Sequence, residues 1–336
     1  MPLILVIDSN IWLAEQMLRH SSGSALRFFL RTCGARVALP EVVRREVTLH
    51  LATELHDLSR DMKQSYDRIL RQVNVLKELV LPSAQELDAI AKATFENTRL
   101  DMLDVPLSIE SARASFEKCI TGEPPSGPKD QQFKDGVVWA DCVHLAADNP
   151  GLLVTADKGF FRNRNYENGL AANLAAEAQA TKCGVTVAHE LASVLQQVRT
   201  DLPIDYSRLG RQISPAIWDK IREWVGRQGF VVGDLISGKH RLFATDDPAQ
   251  AHLEIELSYR CIHPDEREGT LVFRGESTYS HVTGAFGEIQ QRGEEFHFDD
   301  VDGQHKAVRA IYMVGTAVLG HRTVRHEIRA PLDIGS

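Results

Sequence analysis

Four acids stand where short apolar runs end or helices begin. Asp8 closes the run in LILVIDSN, Glu46 lies in LPEVVRREV, Asp135 opens FKDGVVWADCVHLA, and Asp157 closes LLVTAD. Carboxylates brought together repel one another, and a hard divalent cation bound through oxygen removes that penalty. A Mg²⁺ or Mn²⁺ ion held this way makes water a better nucleophile and stabilises charge on a phosphodiester. Each acid also has a plainer reading. Asp8 and Asp135 are both suited to cap a helix. Glu46, after Arg44 and Arg45, fits a solvated helix face, and Asp157 before Lys158-Gly159 fits a turn. Asp141 lies six residues after Asp135, about a third of a turn away around a helix, and reads as structural or supporting.

These acids converge only if the surrounding elements place them on one edge. Leu3 to Ile7 is a short β-branched run, as expected of a buried parallel strand whose acid is exposed at its carboxyl end. Helices are expected over Ser24 to Thr32, stopped by Gly34, and from Pro40 onward. A second strand is expected over Arg36 to Leu39. From about Leu49 to Val80 apolar residues recur at steps of three or four, Pro82 ends the run, and Ser83 opens another helix. A further helix spans about Ile109 to Cys119, and the Pro/Gly-rich TGEPPSGPKDQQ reads as a loop. The region of about 50–125 therefore reads as a helical insertion or lid. Beyond it come a helix from Lys134 to Ala147, the strand GLLVTAD, a loop and helix through LAANLAAEAQATK, the strand GVTVA, and a closing helix with Leu191, Val194 and Leu195. Strands alternating with helices predict an α/β fold, a Rossmann-like parallel sheet with helices on both faces. Ligands of such sheets sit at the carboxyl ends of the strands.

LVIDSN, LPEVVRREV, KDGVVW and LLVTADKGF together resemble a PIN domain, over roughly residues 1–197. The resemblance implies a metal-dependent nuclease, most members of the family cutting RNA with Mg²⁺ or Mn²⁺. It maps the catalytic and metal-holding acids to Asp8, Glu46, Asp135 and Asp157, with Asn10 and Thr155 as companion polar residues that contact the substrate. Lys134-Asp135 followed by Trp139 is similar to a bacterial PIN subfamily with a longer helical middle. Many PIN proteins are toxins of toxin–antitoxin pairs and others process RNA. The chain's length and its appended C-terminal domain depart from the small toxins. RNA is the substrate this implies; a homo-oligomer and an antitoxin or other regulator stay open as partners. Two other classes also stay open: a silent PIN-like scaffold binding RNA or protein, and a structure-specific DNA nuclease, for which no helical-arch or helix-hairpin-helix signal is visible.

Lys158, Arg162 and Arg164 in DKGFFRNRN could grip a phosphate backbone beside Asp157, or could be solvated loop residues. Phe160 and Phe161 fit a core better than a base-stacking surface. The 13 histidines show no HExxH or triad spacing, and His240, His281 and His297 read as ordinary surface or core residues.

The 336 residues suggest about two domains. A net charge of −8 argues against a broadly basic nucleic-acid coat. The five cysteines, Cys33, Cys119, Cys142, Cys183 and Cys261, lack zinc-site spacing and fit buried reduced thiols in a cytoplasmic protein. The first apolar run is too short for a signal peptide, and no stretch reaches the length of a membrane span. After Thr200 the pattern changes. Residues 198–212 read as a linker and 213–336 as a smaller α+β domain on an antiparallel sheet, of unassigned role. Its signals are a helix near Ser214 to Gln228 and the alternating runs HLEIELSYRCI, TLVFRGESTY, HKAVRAIYMVGTAVL and RTVRHEIRA.

Overall fold

The computed structural model describes residues 1–19, 21–73, 75–200, 202–300 and 303–311. By internal contacts the chain forms two units: residues 1–19 with 30–194, and residues 21–29 with the described residues from 195 on.

The first unit is built on a five-stranded parallel sheet. Its strands are β1 (Ile4–Ile7), β2 (Arg36–Pro40), β3 (Met102–Val105), β4 (Gly151–Val154) and β5 (Val185–Ala188). The order is β3-β2-β1-β4-β5, all neighbours parallel. β1 is central and wholly buried, which is why it reads as an unbroken apolar run. Winding runs outward from β1 through β2 to β3, and separately from β4 to β5. The β1/β4 boundary is thus the topological switch point, where open α/β sheets bind ligands at the carboxyl ends of the strands.

The connecting helices are α1 (Ser9–Ala14), α2 (Ser21–Cys33), α3 (Glu41–Val73), α4 (Ala84–Lys92), α5 (Ile109–Thr121), α6 (Phe133–Leu145), α7 (Ala172–Ala180) and α8 (Leu191–Val194). Helix α3 is 33 residues and about 50 Å long. Val43, Val47, Leu51 and Leu55 bury one stripe of it, and Leu51 and Leu55 pack with Leu87 of α4. Past Leu55 the stripe is not buried: Met62, Ile69 and Val73 are exposed. The helix expected to run to Val80 accordingly stops at Val73, and 75–82 has no regular structure. Ser83 then caps α4 in a reciprocal box with Glu86. The insertion is not all helical. β3 lies within it and pairs with β2, a half-exposed edge strand of four residues, too short to read as one.

The second unit holds β6 (Arg199–Thr200), α9 (Tyr206–Gly210), α10 (Pro215–Gly226), β7 (Val231–Ala244), β8 (Gln250–Ile262), β9 (Glu268–Ser280), β10 (Gln290–Asp299) and β11 (His305–Ile311). Its sheet has the order β11-β10-β9-β8-β7-β6, antiparallel throughout. Leu253, Ile255, Leu257, Tyr259 and Cys261 point into one core, against Ile217, Ile221 and Val225 of α10. Residues expected as a linker carry β6 and α9, and Leu209 is fully buried in that core. The runs beyond Ile311, including RTVRHEIRA, lie outside the described residues. Across the opposite face Lys239, Glu256, Arg274, Glu295 and Arg309 form a chain of ion pairs linking β7 to β11. Residues 21–29 join this unit through an Arg27–Asp246 ion pair of 2.8 Å and a Ser21–His252 hydrogen bond of 2.7 Å. The five cysteines form no disulfide, but only Cys142 and Cys261 are buried; Cys33, expected inside, is exposed. No helix among the described residues is long and apolar enough to cross a membrane.

Helices α5 and α6 meet at Gly136, where an added Cβ would lie 2.3 Å from Ser115 Oγ and 3.1 Å from Ser115 Cα. Alanine gains about 1 kcal/mol of helix propensity over glycine, and overpacking costs about 1–3 kcal/mol. Gly136→Ala is therefore expected to lower the melting temperature, and Ser115→Gly in the same chain to recover part of the loss. Calorimetric melts check this; a rise in the single variant contradicts the packing argument.

Candidate metal centre

Asp8 sits immediately beyond β1 and is the N-cap of α1, its Oδ1 accepting from Ser9 N at 2.7 Å. Only 3% of it is exposed. A buried carboxylate needs donors, and here they come from both sides of the switch point. Asn10 Nδ2 donates to Oδ2 at 2.7 Å and Thr155 Oγ1 at 2.6 Å. Asn10 Oδ1 in turn accepts from Ala156 N at 3.1 Å, and Thr155 Oγ1 from Asp157 N at 3.1 Å. Thr155, expected among substrate-contacting residues, is fully buried, so it positions Asp8 and does not reach a substrate.

Asp157 is held by its own turn, Oδ1 accepting from Gly159 N at 2.6 Å. The glycine is required there. A Cβ on it would meet Pro125 O at 2.6 Å and Asp157 Oδ1 at 3.1 Å. Glu46 projects from α3, accepting from Ser9 Oγ at 3.0 Å and pairing with Lys134. Asp135 lies in the first turn of α6, whose N-cap is Gln132, so the capping reading does not apply to it.

The electrostatics bring all four acids together. Burial raises the Asp8 carboxyl above its ordinary range, against hydrogen bonds from Thr155 and Ser9, and the charges of Glu46 and Asp157 add to the rise. Asp135 is pushed up to about 8, first by burial, then by the charges on Asp8 and Asp157, a hydrogen bond with Asp157, and Glu46. Clustered carboxyls that burial and their neighbours' charges disfavour as anions are the donor set a hard divalent cation stabilises. The oxygens already have protein donors, however. Among the described residues no three acid, histidine or cysteine side chains are gathered closely enough to hold a metal ion as they stand. The donor chemistry therefore fits a divalent cation, while binding requires the cation to displace or share contacts such as Lys134–Glu46.

Asp141 is separate from this group. It is buried, accepts from Ser111 Oγ at 2.6 Å and ties α6 to α5. Burial lifts it to about 6, against the Ser111 hydrogen bond and the His144 charge. Lys158, Arg162 and Arg164 are exposed in the turns after Asp157, while Phe160 and Phe161 are buried as expected. Sequence reasoning missed Ser9 and Lys134 as partners of Glu46. Ser9 lies inside the DSN motif, but its long-range partner is not encoded by spacing. It also missed Tyr166, whose hydroxyl donates to Ala156 O at 2.6 Å.

Residues 5–160 match the family model of the PIN domain. No curated protein and no solved structure matches the chain.

In metal-free protein Asp135 keeps its proton to about pH 8, whereas in the unfolded chain it loses it near the ordinary aspartate value of 3.8. Stability carried by the protonated form is complete below the lower value. It is lost as pH rises towards the upper one. Asp135→Asn is therefore expected to melt higher than the parent, with a gap that is small near pH 5 and largest above pH 8. Each kcal/mol gained moves a domain of this size by about 2–4 °C. Thermal melts in EDTA across this range check it; a gap that shrinks with rising pH contradicts it.

Proposed function

We propose that this chain, whose residues 5–160 match the PIN domain generally found in nucleases, is a divalent-metal-dependent endoribonuclease. The observation that carries the proposal is the raised Asp135 carboxyl, facing three other acids at the carboxyl edge of the β1/β4 switch point. Asp8, Glu46, Asp135 and Asp157 would hold Mg²⁺ or Mn²⁺. Such an ion supplies Lewis-acid stabilisation of charge on the phosphodiester and a better water nucleophile at neutral pH. The chain's own residues do the rest. Asn10 and Thr155 fix the orientation of Asp8, and Ser9 fixes that of Glu46. Lys134 balances the charge of Glu46. Lys158, Arg162 and Arg164 grip the backbone phosphates on either side of the cut. A role as a toxin or defence nuclease, with an antitoxin or other regulator as partner, is part of the same reading.

One observation favours a second reading, a silent scaffold that binds RNA or protein: the carboxylates already have protein donors. Titration calorimetry with Mn²⁺ separates the two, since the scaffold predicts no heat attributable to Asp8 or Asp135.

Purified full-length chain is expected to cut single-stranded RNA with Mg²⁺ or Mn²⁺ and not in EDTA. Asp8→Asn and Asp135→Asn are each expected to slow cutting by about 10²-fold or more, the scale of losing one group that stabilises transition-state charge. A matched DNA strand tests the choice of sugar. Undiminished cutting by both variants, in preparations free of contaminating nuclease, overturns the proposal.

A further inference from the structure

Beside the acids the first unit carries an aromatic pair that none of the preceding roles uses. The rings of Tyr166 and His189 stack with centroids 4.7 Å apart and planes 13° from parallel. Both side chains are partly exposed. Phe161, itself buried, meets the Tyr166 ring edge-on at 5.0 Å. Lys158 Nζ lies 5.6 Å from the centre of the same ring.

The pair is fastened to the residues that hold Asp8. Tyr166 Oη donates to Ala156 O at 2.6 Å. His189 directly follows Ala188, whose carbonyl accepts from Thr155 N at 2.9 Å. Thr155 and Ala156 are also the residues that bond to Asp8 and Asn10. Two stacked rings, a cation and the Asp8 carboxyl thus share one two-residue anchor at the carboxyl ends of β4 and β5.

We propose that the Tyr166–His189 stack is a platform for one unpaired nucleobase next to the scissile phosphate. The substrate class is then single-stranded nucleic acid, because a paired base has no free face to offer. A flat ring of any base fits, so the platform selects strandedness more than sequence. Lys158, already on the Tyr166 ring, is placed to meet the phosphate attached to that base. The proposal rests on the nuclease reading for its substrate, but its test does not need cutting.

The test uses full-length chain in EDTA and low salt, so that no strand is cut. Fluorescence anisotropy compares a short single-stranded RNA, the same strand with one abasic position placed in turn along it, and its duplex. Parent protein is expected to bind the intact strand about tenfold or more tightly than the abasic strand at one register, and than the duplex. His189→Ala is expected to remove that difference, and His189→Phe, which keeps a flat ring, to restore it. Equal binding of intact and abasic strands at every register by the parent overturns the platform, as does full discrimination by a folded His189→Ala chain. A chain that discriminates but never cuts keeps the platform and loses the nuclease; one that cuts but never discriminates does the reverse.

Discussion

A carboxylate buried at the end of a central strand must be satisfied by hydrogen-bond donors or by a cation, since desolvation alone would drive it to its neutral form. Asp8 imposes that demand on the first unit. Its donors come from its own helix start and from the turn after the neighbouring strand, so β1 and β4 are joined by side chains at the point where their windings diverge. That junction brings Asp157 alongside, and Ser9 draws in Glu46 from α3. The network holds the acid in place without neutralising its neighbours. Asp135, set among them, is pushed up to about 8, first by burial and then by their charges.

Much of this was legible. The unbroken apolar runs of β1 and β4 marked buried parallel strands, and an acid after each had to lie at the carboxyl edge. The plainer readings of Asp8 and Asp157 hold, since both cap the turns they open. Capping and site membership are not alternatives. A cap residue is one the backbone holds firmly at a helix start, which is where a carboxylate is best placed. Illegible were the partners set by folding alone. Lys134 and Glu46 stand far apart in sequence, and no spacing rule links them. Nor does any rule link Tyr166 to His189, which lie on separate turns.

The second unit divides along similar lines. β8 was plain because its alternation is clean and one face is fully buried. β7 was hidden by two glycines and by shifts in its pairing with β8, and β10 by a run of polar residues. Glu294 and Glu295 would read as surface, yet both are buried. Glu295 is covered by Arg274 and Arg309 from the adjoining strands, so a charged pattern here marks a sheet face roofed by its own ion pairs.

Residues 21–29 give the chain an order that its two units do not share. They belong with strands encoded far downstream, yet they are made before nearly all of the first unit. During synthesis that stretch of α2 must wait for its partners until the chain from 195 on is made. The same interleaving constrains inheritance. A break in the gene after residue 194 would leave the first unit whole but still carrying 21–29, and the second without them, so only the first is expected to survive such a division intact.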